Sequence, residues 1–136
     1  MFVVKSQICL LFLILYSKSV QQQRFTRTVV GIGYPYYNIS MTLGMCRDKI
    51  IFYEDSFWPA IRLNRIMDIY YKSENENVIV TCADMAFIIN NTDCLAYSDT
   101  GVGGAEFAAT VFFATNMGPI FYRINLYTCR TPKDIL

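Results

Sequence analysis

The sequence predicts an all-β fold, a small antiparallel β-sandwich or barrel-like domain, on three observations. Within Thr100 to Thr128, Phe107, Ala109, Val111 and Phe113 share one side of a period-two pattern, and Ile120, Tyr122, Ile124 and Leu126 do the same opposite Arg123 and Asn125. Upstream, short segments rich in β-branched and aromatic residues recur between turn formers at a spacing of roughly ten residues. The one segment with a competing helical periodicity, Ala60 to Tyr71, has no helix cap before it.

Taken in order, Met1 to Ser19 has a basic Lys5, an apolar run from Ile8 to Tyr16, and the small residues Ser17 and Ser19 where a cleavage site needs them. The run is too short to cross a bilayer, which takes about 20 apolar residues, so residues 1–19 read as a cleaved signal peptide and 20–136 as a single β-domain with no membrane span. Arg24 to Val30 alternates as a first strand. Gly31 to Tyr37 breaks that pattern with two glycines and Pro35 and reads as a loop or edge. Asp48 to Glu54 is apolar on both sides, as in a strand covered on both faces, and Phe57-Trp58-Pro59 ends it. Ala60 to Tyr71 reads as strand, followed by a polar turn from Ser73 to Asn77. Asn77 to Ala83 is the clearest upstream strand, Asn90 to Asp93 a turn, and Cys94 to Ser98 a short strand. The final two strands, Glu106 to Thr115 and Ile120 to Tyr127, flank Asn116-Met117-Gly118-Pro119 and are expected to fold back on each other as a hairpin.

Charge and residue usage exclude whole classes of function. With Lys5 and Lys18 in the leader, ten basic residues face eleven acidic ones, so no nucleic-acid footprint is present and no direct nucleic-acid binding is expected. Histidine is absent, which removes the commonest general base and the commonest transition-metal ligand. Glu54 and Asp55 are neighbours on an extended chain and face opposite ways, Glu74 and Glu76 sit in a turn, and no SxxK occurs to activate a serine. No catalytic residues and no cofactor are assigned. Ten Phe, ten Tyr and one Trp exceed what a small core needs, which favours a binding surface for a protein or a small apolar ligand.

A secreted chain changes how its cysteines read. Cys46, Cys82, Cys94 and Cys129 remain after the leader is removed, an even number open to three connectivities, and two disulfides are expected. No CxxC pair occurs, so zinc is not the reading. If Asn77–Ala83 and Cys94–Ser98 pair as neighbouring strands, Cys82 bonds Cys94, and Cys46 bonds Cys129 by elimination. Asn38-Ile39-Ser40 and Asn90-Asn91-Thr92 are glycosylation sequons, with Asn90 expected on the surface of a turn. Gly103 and Gly104 are expected as backbone positions that only glycine fills cheaply, so that Gly104→Ala lowers stability.

The order Arg47-Asp48-Lys49-Ile50-Ile51, then VIVTCAD from Val78 to Asp84, TGVGG from Thr100 to Gly104, VFFAT, Gly118 and FYRINLY resembles the insect multiprotein bridging factor two family of transcription activators, many members of which are described as salivary secreted peptides. The likeness covers about Gly44 to Thr128, and its most specific part is the Gly-Gly followed by two strands. RDKII departs from the family's usual Gly-Asp-Arg-Leu but keeps Asp48, a basic Lys49 and an apolar Ile50, while the cysteines lie outside the pattern. The resemblance implies a non-enzymatic β-protein. Its family name implies a coactivator bridging a DNA-binding factor to the general transcription machinery, whereas the leader implies a binding or structural role outside the cell. A secreted enzyme of another type ranks third.

Overall fold

The computed structural model describes residues 23–130, and the expected leader lies outside them. The described chain is all β, with nine strands: β1 (Gln23–Arg24), β2 (Thr26–Gly33), β3 (Tyr36–Gly44), β4 (Lys49–Trp58), β5 (Arg65–Lys72), β6 (Cys82–Ile89), β7 (Cys94–Ser98), β8 (Glu106–Phe113) and β9 (Ile120–Thr128). They form two antiparallel sheets, one of order β1-β7-β8-β5 and one of order β2-β3-β6-β9-β4. Their facing sides bury Met67, Ile69, Phe107, Ala109, Val111 and Phe113 from the first sheet against Ile39, Met41, Met85, Phe87, Ile124 and Leu126 from the second. This is a β-sandwich, stabilised chiefly by that shared core, in which a buried Phe such as Phe87 or Phe107 contributes about 2–3 kcal/mol.

The period-two readings hold at the end of the chain, where Phe107, Ala109, Val111 and Phe113 all face inward with Ile120, Tyr122, Ile124 and Leu126. The hairpin expected between these strands does not form. β8 pairs with β5 and β7, and β9 pairs with β4 and β6, so residues 114–119 cross from one sheet to the other. Each strand carries an unbroken apolar set on its inward side, and lying in opposite layers lets the two sets pack against each other across the core. Met117 anchors the crossing, buried to 2% exposure and bridged to Ile61.

Three further expectations are corrected. β4 is an edge strand, mostly exposed, rather than a strand covered on both faces. Strand β6 starts at Cys82, not Asn77, and runs on through Met85 and Phe87 to Ile89, while Val80 is bonded across the loops to Gly103 and Gly104 and Thr81 to Met45 and Tyr127. β3 was not foreseen, although Ile39, Met41 and Leu43 alternate with Asn38, Ser40 and Thr42, and it sits between β2 and β6 across a turn at Tyr34-Pro35. The loop reading of Gly31–Tyr37 thus narrows to that turn.

The sandwich has two distinct ends. Loops 45–48, 73–81 and 99–105 lie at one, where Cys46 is bonded to Cys129. The turn at 34–35 and loops 59–64, 90–93 and 114–119 lie at the other.

Candidate binding end

The register of the five-stranded sheet lines up one residue from each strand across its outer face: Val30, Asn38, Ile88, Phe121 and Phe57. Four of the five are apolar and exposed, and the Phe57 and Phe121 rings pack at a tilt of 43° with centroids 5.0 Å apart. The row lies beside the end where β6 and β4 finish and β9 begins. The second sheet repeats the arrangement at the same end, where β5, β8 and β7 bring Ile66, Phe112 and Leu95 into line on its outer face, all exposed. Beyond both rows the connecting loops present Tyr34 at 98% exposure and Leu63 at 76%, with Ile61 beside them. Most of the exposed large apolar side chains of the described chain therefore gather around one end. Single exposed apolar residues are ordinary, but a contiguous apolar belt marks an interaction surface.

This end is held by side chains suited to its shape. Arg65 lies over the Trp58 ring at 5.4 Å and donates to the Pro59 carbonyl, and Trp58 in turn packs edge-on to Phe113 and Tyr122. Asn90 Oδ1 accepts the Gly118 N–H at 2.9 Å, tying loop 90–93 to loop 114–119. Asn90 is thus half-buried and engaged, not simply on the surface as expected. Asn38 lies mid-strand in β3, and its Oδ1 is buried with no partner among the described protein atoms. The hollows here are shallow: about 350 Å³ among Ala60, Arg62, Asn90 and Gly118, and about 190 Å³ over Asn38, Ile88, Phe121 and Arg123. Such shapes suit a docking surface better than the enclosed site a small ligand needs.

The opposite end is charged and closed. Arg47 makes a two-pronged ion pair with Asp84, Nε to Oδ2 at 2.6 Å and Nη2 to Oδ1 at 3.0 Å. Partial burial on its own would raise the Asp84 pKa, but the hydrogen bonds from Arg47 and Thr42 and the Arg47 charge outweigh it and hold the carboxyl below its ordinary range. Asp48 accepts the Arg130 N–H at 3.0 Å, which ties the chain after β9 to the start of β4. Asp48 also lies close to Cys46 and Cys129, but the two sulfurs are bonded to each other and carry no thiolate for a metal. A hollow of about 510 Å³ opens here between Lys49, Asn77, Val78 and Arg130. It is larger than those at the apolar end, but Lys49, Asn77, Thr128 and Arg130 line it and no aromatic side chain does, whereas the exposed aromatic rings that mark an interaction surface gather at the other end.

The cysteines divide. Cys46 and Cys129 form the expected disulfide, closing a separation of 83 residues with Cα atoms 5.6 Å apart. Cys82 and Cys94 do not bond; both are free thiols in the core. The expected neighbour pairing fails because β6 and β7 lie in different sheets, and because Cys82 opens an eight-residue strand whose far end carries the 90–93 connection to Cys94. At about 3.3 Å per residue the two cysteines are separated by most of the length of β6, far beyond disulfide reach. Burial pushes the Cys82 thiol up to about 11, aided by the Asp84 charge, and the Cys94 thiol up to about 12, so both are protonated and inert at neutral pH.

Of the two glycines expected as backbone positions, Gly103 has φ +111° and donates to the Val80 carbonyl at 2.7 Å. Gly104 accepts from the Val80 N–H at 2.8 Å without a positive φ, and a Cβ there would meet nothing closer than 3.9 Å, so the glycine requirement falls on Gly103. Sequence reading missed Gly44, where φ is +83° and a Cβ would lie 2.2 Å from the Thr81 carbonyl oxygen. It also missed the row across the five-stranded sheet, because a row joins residues whose only link is register.

No family profile, curated protein or solved structure matches this chain.

Proposed function

We propose that this chain is a small secreted, non-enzymatic binding protein of the multiprotein bridging factor two and salivary secreted peptide type, engaging a protein partner outside the cell through its apolar end. The observation that carries the reading is the gathering of exposed aromatic and aliphatic side chains around one end, away from the Arg47–Asp84 ion pair and the disulfide at the other; the Arg123–Asp55 ion pair lies between, on the outer face of the five-stranded sheet. A disulfide across 83 residues suits an oxidising compartment, as the leader does.

Two measurements test it. The full sequence is expressed in insect cells, and medium and nuclei are each treated with a glycosidase. A disulfide-bonded product in the medium, glycosylated at Asn90, is expected; a glycan at Asn38 alone would leave secretion standing but overturn the placement of Asn90, and an unmodified nuclear product starting at Met1 would overturn secretion and favour the coactivator reading. The purified protein is then titrated with anilinonaphthalene sulfonate. Native protein is expected to raise the dye's fluorescence, and Leu63→Ser combined with Phe121→Ser to abolish most of that rise without altering the fold. No rise, or a rise the two substitutions leave intact, would remove the apolar end as the docking surface.

A further inference from the structure

The sandwich has four strand edges, and three carry features that discourage pairing with another chain. β1 is only two residues long. β4 carries Lys49, Glu54 and Asp55 and a bulge at Ile51, and β5 carries Arg65, Asp68 and Lys72. β2 is different. It is eight residues of Thr, Val, Gly and Ile around a single charge, every one exposed, and among the described residues nothing pairs with its outer edge. The one charge, Arg27, is drawn away from that edge by the bond its guanidinium donates to the Thr92 carbonyl. A bulge near Ile32 confines the regular edge to Thr26–Gly31.

From this contrast we propose that β2 is a dimerisation edge, on which a second copy of this chain adds its own β2 antiparallel, joining the two five-stranded sheets into one. The proposal stands on the strand edges and not on the apolar end. An extended apolar edge leaves a row of N–H and C=O groups unpaired, and a partner strand satisfies them. A second copy fits better than an arbitrary peptide because an antiparallel pair of identical strands is two-fold symmetric, so one patch serves both sides. No charge of one β2 opposes a like charge of the other: Arg27 falls opposite Gly31 when the pair is centred on Val29 and opposite Gly33 when it is centred on Val30, and its guanidinium is engaged with Thr92. Pleating restricts the register further. Opposed residues in an antiparallel pair point to the same face, so even-numbered residues must oppose even-numbered ones to keep both outer faces on one side. A pair centred on Val29 or Val30 meets this condition and sets the residue-30 side chains opposite or diagonal to one another, within coupling range. The two rows, each of Val30, Asn38, Ile88, Phe121 and Phe57, would then run on across the joined sheet.

The test uses the folded, disulfide-bonded product of the full sequence in analytical ultracentrifugation, with Val30→Lys, Val30→Glu and a mixture of the two. Val30 is 55% exposed, so neither variant disturbs the core, and circular dichroism checks that each keeps the native fold. The expected result is a dimer for the native sequence, a monomer for each variant alone, and a restored dimer in the mixture. The native protein's melting temperature should also rise with concentration, as it does for any associating fold. A native monomer over a roughly hundredfold concentration range would overturn the proposal, since that span covers a tenfold change in affinity in either direction. A dimer untouched by both variants would overturn it too, by moving the interface elsewhere, and a mixture that stays monomeric would overturn the two-fold pairing of β2 with itself.

Discussion

At the disulfide end the loops are fastened to each other by five backbone hydrogen bonds, Gly103 to Val80 at 2.7 Å, Val80 to Gly104, Thr81 to Tyr127 and Ser73 to Ala105 at 2.8 Å and Met45 to Thr81 at 3.2 Å, besides the covalent link. At the apolar end three such bonds join the loops among the described residues, Asn116 to Arg62 at 3.1 Å, Ala114 to Asp93 at 3.2 Å and Ile61 to Met117 at 3.4 Å, and side chains such as Asn90 and Arg65 complete the fastening. Fewer bonds and no covalent link make local opening easier. The exposed aromatic residues therefore sit at the end with the weaker fastening.

Removing the disulfide should have the largest effect and most directly breaks this contrast. The double variant Cys46→Ser, Cys129→Ser is expected to lose about 4 kcal/mol in denaturant unfolding, by the entropy of closing so long a loop. In the native protein a thiol reagent should label nothing, and after unfolding it should label two cysteines, Cys82 and Cys94. No labelling even when unfolded would mean that those two are bonded after all.

Glycine substitutions sharpen the picture of the locked end. Gly44→Ala forces a Cβ against the Thr81 carbonyl at a positive φ and should cost about 3 kcal/mol. Gly104→Ala, in open space, should change the melting temperature little. Equal losses from the two would show that the close approach of Gly44 to loop 73–81 is not what holds this end.

At the apolar end Asn90→Ala leaves the Gly118 N–H without its acceptor and should cost about 1–2 kcal/mol. A loss as large as that from the disulfide variant would erase the difference between the ends.

The smallest effect concerns Asp84. Its pKa is depressed in the folded state, so the pair with Arg47 stabilises above the carboxyl's unfolded pKa of about 3.9 and that contribution fades as pH falls through the lower folded value. Arg47 is largely in solvent, so Asp84→Asn should cost no more than about 1 kcal/mol at neutral pH. In acid the variant and the native protein should converge, and a gap that persisted at the lowest pH would mean the loss came from packing instead.

Much of the fold was legible because burial imprints itself on single residues. The inward positions of β5, β7, β8 and β9 could each be read from alternation within the strand, whereas counting cysteines left three connectivities open and the bond between Cys46 and Cys129 followed only by elimination from a Cys82–Cys94 pairing that does not form. β3 was legible but overlooked, since Pro35 and the tyrosines around it drew its beginning into a loop. The apolar end was visible only as a surplus of Phe and Tyr. No spacing in the chain says that Val30, Asn38, Ile88, Phe121 and Phe57 form one row, because most of them come from strands far apart in sequence.

The sequence by itself determined that the chain is all β and which side of most strands faces the core, because period-two alternation is a local property of the backbone. Partnership was left to the tertiary structure. Alternation shows that β8 and β9 each have an apolar side, but not whether they pair edge to edge or face each other across the core; both arrangements bury those sides, and here β8 takes β5 and β7 as neighbours while β9 takes β4 and β6. The same choice put β6 and β7 in opposite sheets, kept Cys82 and Cys94 apart as thiols, and left β2 at an edge with nothing beside it among the described residues.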